Sequence, residues 1–327
     1  MLFRSSGGYT NCACATKSTI GGGCGNLTTG TGSTISGGHA NAASGCMSTI
    51  GGGCINAACG ISSTVAGGRA NSATTTYTTV GGGSANTASS YGSSVLGGTS
   101  NTAVGTLSIA GGGNSNTASG YRASILGGVG NISQGISSTV VGGQSNYVCN
   151  SVSGCLAYGA VVVGGVGNNS TGGTWSLASC TFTVAPTICN AGQYSFIGGG
   201  FQNIAINLNS VAVGGYQNQA NCRYNAVVGG YQNTNSSYVG FIGGGAYNNA
   251  TACYASIPGG FCNLISNCFS SIVGGSSNCV TGCYSIVGGG TNNRAVGTSS
   301  SVLGGNTNCA MNGFDTVGGG KIGRAHV

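Results

Sequence analysis

The sequence is nearly empty of carboxylates: Asp315 is the single acidic side chain among 327 residues. Glycoside cleavage needs a pair of carboxyl groups, and none can be assembled. A Ser-His-Asp triad would have to join His39 to Asp315, which stand at opposite ends of the chain. Basic residues are also few. Outside the two ends they are Lys17, Arg69, Arg122, Arg223 and Arg294, dispersed and never clustered. A nucleic-acid or membrane-surface footprint needs a basic stripe, so neither partner is expected, nor is membrane insertion. Only Pro186 and Pro258 are present and the glycines lack a three-residue period, which excludes collagen. The 17 cysteines form no C-x-x-C, and His39 is the one histidine outside the last residues, so no zinc site is expected. No Gly pair is followed by Lys-Ser or Lys-Thr, so none is a phosphate loop. These absences point away from catalysis, metal and cofactor.

What the sequence has is a period. Gly-Gly, two variable residues and Asn return every fifteen positions, from Asn11 through Asn26, Asn41, Asn56, Asn71, Asn86, Asn101, Asn116 and Asn131 to Asn146. A second series runs from Asn203 through Asn218, Asn233, Asn248, Asn263, Asn278 and Asn293 to Asn308, with Asn168 isolated between the two. A short period held along a whole chain marks a solenoid-like repeat.

Counting the apolar residue as position one, Val65-Ala66-Gly67-Gly68-Arg69-Ala70-Asn71-Ser72-Ala73 shows the unit, closed by a small polar stretch. Two glycines per unit argue against a helix, each costing about 1 kcal/mol relative to Ala. Ser-Thr-Val and Asn-x-Ala alternate polar with apolar, as strands with one inward face do. The Gly pair supplies positive φ or close backbone approach at one corner. Stacked coils set like residues roughly 4.8 Å apart, so Asn above Asn is expected to form an amide ladder. Asn56, Asn71, Asn86, Asn218, Asn233 and Asn263 represent it, with Val/Ile at position one and Ala at position nine facing inward. The expected fold is all-β: a parallel β-solenoid (β-roll or β-helix) of about twenty 15-residue coils, forming one rod roughly 95 Å long.

Neither end fits the repeat. Met1-Leu2-Phe3-Arg4-Ser5 and Lys321-Ile322-Gly323-Arg324-Ala325-His326-Val327 both match translations of a common short-read sequencing adapter. Residues 1–5 and 321–327 are therefore expected to be artefacts flanking an internal fragment, and they are set aside from fold reasoning. Between them the expected organisation is a first array over 6–146, an irregular break over 147–192 and a second array over 193–320. The break carries Trp175, the single tryptophan, either as a binding anchor or as a plug for the discontinuity, and the plug is favoured. Cys253, Cys268 and Cys283 share one repeat position, which suits either cross-rung disulfides or a column of small half-buried thiols.

One outer column differs between the arrays. Position five reads Cys24, His39, Cys54, Arg69, Ser84 in the first, but Phe201, Tyr216, Tyr231, Ala246, Phe261 in the second. Beside it, position six carries Gln202, Gln217 and Gln232. Phe201, Gln202, Tyr216, Gln217, Tyr231, Gln232 and Phe261 are thus the candidate ligand site. Two roles are open: aromatics and amides gripping a sugar, or rings stacking on one another or on a neighbouring subunit.

The string Ser63-Thr64-Val65-Ala66-Gly67-Gly68-Arg69-Ala70-Asn71-Ser72-Ala73 resembles the head repeats of YadA-like trimeric autotransporter adhesins, and is similar to repeats of phage and virus tail-fibre proteins. The resemblance implies a left-handed β-roll assembled as a homotrimer. It also implies attachment to a host-surface glycan or protein receptor, with the protein extracellular, on the cell surface or on a virion. Two other roles compete. Thr19, Thr34, Thr49, Thr64 and Thr79 form a column reminiscent of insect ice-binding solenoids, but the column two residues before it reads Lys17, Gly32, Met47, Ser62, Tyr77. A purely mechanical spacer is the other.

Overall fold

The structure, a computed structural model, describes residues 4–5, 7–150, 157–189, 191–320 and 324–325. Among these there is no helix; the chain is a parallel β-solenoid of about 20 coils of about 15 residues. It divides into two compact units, Met1–Asn150 and Ser151–Val327.

In the first unit the coil starting at Val65 shows how the sequence closes each turn. Thr64–Val65 pairs in parallel with Thr79–Val80 in the next coil, Thr64 opposite Thr79 and Val65 opposite Val80. Ser72–Ala73 pairs likewise with Thr87–Ala88. A third edge is held by single bridges at position five, Cys54 to Arg69 to Ser84. The corners between the edges need positive φ, taken by Gly68 (φ 88), Ala70 (φ 55) and Tyr77 (φ 59). An L-residue in that region costs about 1–2 kcal/mol. The corner is tied down by neighbouring coils: Ala70 N–H donates to the Cys54 carbonyl at 2.9 Å, and Tyr77 N–H to that of Ile61 at 2.9 Å.

The two glycines of the pair are not equivalent. A Cβ on Gly68 would stand 2.2 Å from the Gly83 carbonyl oxygen and 2.6 Å from Asn71 Nδ2, whereas one on Gly67 would meet nothing within 4 Å. The second glycine therefore carries both the positive φ and the close approach.

The Asn column lies directly behind that corner, and its bonding differs from a simple amide-on-amide ladder. Asn71 Oδ1 accepts the backbone N–H of Asn86 at 3.0 Å. Its Nδ2 donates to the Gly67 carbonyl of its own coil at 2.9 Å and to the Gly83 carbonyl of the next at 3.0 Å. Asn56, Asn86, Asn218, Asn233 and Asn263 repeat the pattern. Side-chain-to-side-chain bonds add to it only at some steps, such as Asn41 to Asn26 and Asn233 to Asn218, both at 3.1 Å. The tight Gly corner leaves the Gly67 carbonyl and the Asn86 N–H without a backbone partner, and the short carboxamide of Asn71 reaches both, adding a second donor to the Gly83 carbonyl already bonded by Arg69 N–H. A buried unmet group costs about 1–3 kcal/mol, so the column is dictated by the backbone.

Position one (Ile20, Ile35, Ile50, Val65, Val80) and position nine (Ala43, Ala58, Ala73, Ala88) are fully buried. Burial extends to position fourteen, where Ser33, Ser48, Ser63 and Ser108 fill the narrow interior with small side chains. The hydroxyls of these four find no hydrogen-bond partner, which works against stability, whereas those of Ser18, Thr78, Ser138 and Ser210 at the same position donate to the carbonyl three residues before.

The second unit repeats this construction. One edge runs from Val161–Val162 through Phe196–Ile197 to Thr316–Val317, the other from Ile204–Ala205 to Cys309–Ala310. Its distinguishing feature is an insertion. Asn203 N–H still bonds to Asn168 Oδ1 at 2.9 Å across 35 residues, so the coil keeps its register while the extra chain loops outward. The loop contains an antiparallel hairpin, Thr174–Ser176 with Thr181–Val184, and a second antiparallel pair, Ser170–Thr171 with Thr187–Ile188. At the ends, Arg4–Ser5 pairs with Thr19–Ile20 and Arg324–Ala325 with Cys309–Ala310. Residues 1–3, 321–323 and 326–327, assigned above to the adapter-like ends, lie outside the described residues, as do 6, 151–156 and 190.

Candidate binding groove

Because position five sits in a register of single bridges, its side chains stand one above another. Phe201 stacks on Tyr216 at 5.1 Å and 8°, and Tyr216 on Tyr231 at 4.9 Å and 5°. Both faces of Tyr216 are thus covered by its own neighbours. At Ala246 the column would break, but Tyr247 from position six bridges the gap. Its ring lies 5.3 Å from Tyr231 and 5.7 Å from Phe261, edge-on in both cases. At the other end Trp175 and Phe182, from the inserted hairpin, close on Phe201 at 6.0 and 6.1 Å. Trp175 therefore caps the aromatic ridge at the insertion. Sugar stacking needs an open ring face, and the stacked rings Phe201, Tyr216 and Tyr231 turn theirs toward each other. This geometry favours the self-stacking role for them.

The glutamines are differently placed. Gln202, Gln217 and Gln232 lie along a groove of about 400 Å³ beside the ridge. Its lining continues through position eight (Ile204, Gln219, Thr234), with Ser170, Thr171 and Gly172 of the insertion at one end and Tyr247 at the other. The glutamines form a polarised chain: Gln232 Nε2 donates to Gln217 Oε1 at 2.6 Å, and Gln217 Nε2 to Gln202 Oε1 at 2.9 Å. Gln202 Nε2 ends the chain on the Gly172 carbonyl at 2.6 Å, which fastens the inserted loop to the coils. The Tyr247 phenol is held above its ordinary pKa, chiefly by its hydrogen bond with the Tyr231 side chain. It is therefore neutral at physiological pH, and no Lys, Arg, His, Asp, Glu or Cys lines the groove. Such a site can offer hydrogen bonds and apolar contact to a neutral ligand, without general acid–base chemistry at neutral pH.

The other candidates lie elsewhere. Cys253, Cys268 and Cys283 are half-buried free thiols, and Cys283 Sγ donates to Asn267 Oδ1 at 2.8 Å. The disulfide among the described residues joins Cys12 to Cys14 instead. Asp315 is buried, its Oδ2 accepting the Asn312 N–H at 2.8 Å. His39 Nδ1 stands 3.7 Å from Cys54 Sγ on the outer edge of the first unit. Among the described residues no three His, Cys, Asp or Glu side chains gather as metal ligands, and no helix is long and apolar enough to cross a membrane. The Thr column faces outward at position fifteen, but its presumed companion at position thirteen is a corner residue with positive φ, as at Lys17, Met47, Ser62 and Tyr77. The two columns are therefore not neighbours on one flat strand face.

A second aromatic ridge stands at positions twelve and thirteen of the second unit. Tyr254, Phe269 and Tyr284 stack at 4.7 and 5.0 Å, and Tyr224 and Tyr238 extend the ridge through edge-on contacts. The position was readable from the fifteen-residue phase. The groove's end walls were not, because Tyr247 is out of column and Ser170–Gly172 belongs to the insertion. Compared with known proteins, the chain matches no family model and no curated protein sequence.

Proposed function

We propose that this chain is the structural and adhesive part of an attachment protein, a surface adhesin or a tail fibre, which presents the groove of the second unit to a receptor. In this reading it is not an enzyme, acts outside the cell or on a virion, and assembles as a homotrimer. The repeat resemblance alone supports the trimer. The observation that carries the reading is the groove itself: the regular coils are interrupted where an insertion, an amide chain and an out-of-column tyrosine meet to shape a polar, uncharged recess. The full chain displayed on beads is expected to adhere to some members of a panel of bacterial and eukaryotic cells, and soluble protein should compete. Adhesion no better than that of uncoated beads across the panel would overturn the proposal. The mechanical-spacer reading draws on one observation, the self-stacked rings whose faces are unavailable, and it predicts that negative result.

A further inference from the structure

We infer that the groove beside the glutamine chain takes the terminal portion of a neutral saccharide; the inference rests on the attachment reading and specifies its ligand. Each glutamine amide offers two donor hydrogens and an acceptor oxygen with two lone pairs. The Gln232→Gln217→Gln202→Gly172 chain uses one donor from each. One Nε2 hydrogen is therefore left for a ligand on Gln217 and on Gln232, while Gln202 is itself buried, and Gln232 Oε1 receives no donor from the chain. Gln219 spends its Oε1 on Asn221 Nδ2 at 3.0 Å and keeps its own amide nitrogen. Thr234 adds a hydroxyl. Donors and acceptors in alternation suit sugar hydroxyls, which are both at once.

With no ionised lining residue, an acidic sugar would be desolvated against uncompensated amides, and desolvating an unpaired carboxylate is costly. Neutral saccharides escape that cost. Tyr247 gives the recess exposed apolar surface for sugar C–H groups, Ile204 being buried, and no ring stacks face to face on Tyr247.

About 400 Å³ is near the lower end of small-molecule sites. The glutamines span three coils, roughly 10 Å at strand spacing. Ser170–Gly172 closes one end of that span and Tyr247 the other. A long polysaccharide cannot thread between such walls, so a chain end of about one or two rings is what fits.

The test uses the full chain on a glycan array carrying neutral and sialylated or uronic-acid saccharides, with affinities of the leading compounds measured by calorimetry. Two variants are compared with the parent: Gln217→Leu, which interrupts the amide chain, and Gln232→Glu, which replaces the donating amide at its start with a negatively charged acceptor. Neutral saccharides should bind, acidic ones should not, and each variant should lose at least about tenfold in affinity, or 1.4 kcal/mol, with unchanged thermal unfolding. If Gln217→Leu unfolds, Gln232→Glu alone carries the test. Preference for acidic saccharides, or undiminished binding in the folded variants, would overturn the inference. Cell adhesion without any neutral-saccharide binding would overturn it while leaving the attachment reading intact. Groove-dependent saccharide binding without cell adhesion would do the reverse.

Discussion

The two units share one backbone and differ in what they wear on it. In the first, Asn71 joins the Gly67 and Gly83 carbonyls at 2.9 and 3.0 Å; in the second, Asn218 joins those of Gly214 and Gly230 at 2.8 and 2.9 Å. The Val/Ile columns are equally buried in both. Yet position five holds Cys54, Arg69 and Ser84 in one, bridged to one another through the backbone, and the stacked Phe201, Tyr216 and Tyr231 in the other. A repeat whose coils contact only their neighbours separates these duties. Positions one, four, seven, nine and fourteen hold the coil together, and the outward positions are free to acquire surface chemistry. The second unit has used that freedom along consecutive coils, and the insertion at Ser170 encloses the result.

The sharpest way to break the shared part is the glycine pair. Gly68→Ala and, in the second unit, Gly230→Ala put a Cβ within about 2 Å of a carbonyl oxygen at φ 88 and 91. Each is expected to destabilise by about 3 kcal/mol or more. Gly67→Ala and Gly229→Ala meet nothing within 4 Å and should stay within about 0.5 kcal/mol of the parent. Chemical denaturation of the four variants measures both contrasts. Equal effects within a pair would contradict the assigned roles.

Next come Asn71→Ala and Asn218→Ala. Each removes the acceptor for the next Asn N–H and both donors to glycine carbonyls. A loss of about 2–3 kcal/mol is expected in either unit. Since the column does the same work in both, a large effect in only one would break the comparison.

The outer columns should separate the units. Tyr216→Ala removes two stacked contacts and is expected to cost about 1–2 kcal/mol, whereas Ser84→Ala at the same position should be neutral within about 0.5 kcal/mol. Thermal unfolding of the two variants side by side tests this.

A last effect, absent at neutral pH, is a pH dependence in the first unit. Burial pushes the Cys149 thiol from an ordinary 9.0 up to about 11. The folded state therefore retains the proton longer, so the contribution is complete below pH 9 and is lost as pH rises toward 11. At pH 8 Cys149 should alkylate far more slowly than the exposed Cys59, as read by mass spectrometry of labelled peptides.

Most of the fold was legible because a fifteen-residue period translates directly into parallel register: Asn71 must lie under Asn86 once coils stack. The Asn partners were less legible. Sequence places amide over amide, but only the backbone path through Gly68 reveals carbonyls nearer than the next carboxamide. The buried Ser column escaped notice because Ser63 reads as a surface residue until the narrow interior is seen. At the candidate site, Gln202, Gln217 and Gln232 were recognisable as a column. The partner column at position eight and the insertion wall depended on three-dimensional closure. The aromatics were visible too, but sequence spacing cannot say whether a ring turns its face to solvent or to its neighbour.

The asparagine amides hold the coils in fifteen-residue register. Residue-resolved hydrogen exchange on ¹⁵N-labelled protein tests this most directly. The side-chain amides of Asn71 and Asn218, with the backbone N–H groups of Asn86 and Asn233 that they accept, should be protected as strongly as Val80 and Val227 of the buried columns. Side-chain amides exchanging at the rate of free asparagine, while the buried valines stay protected, would contradict it.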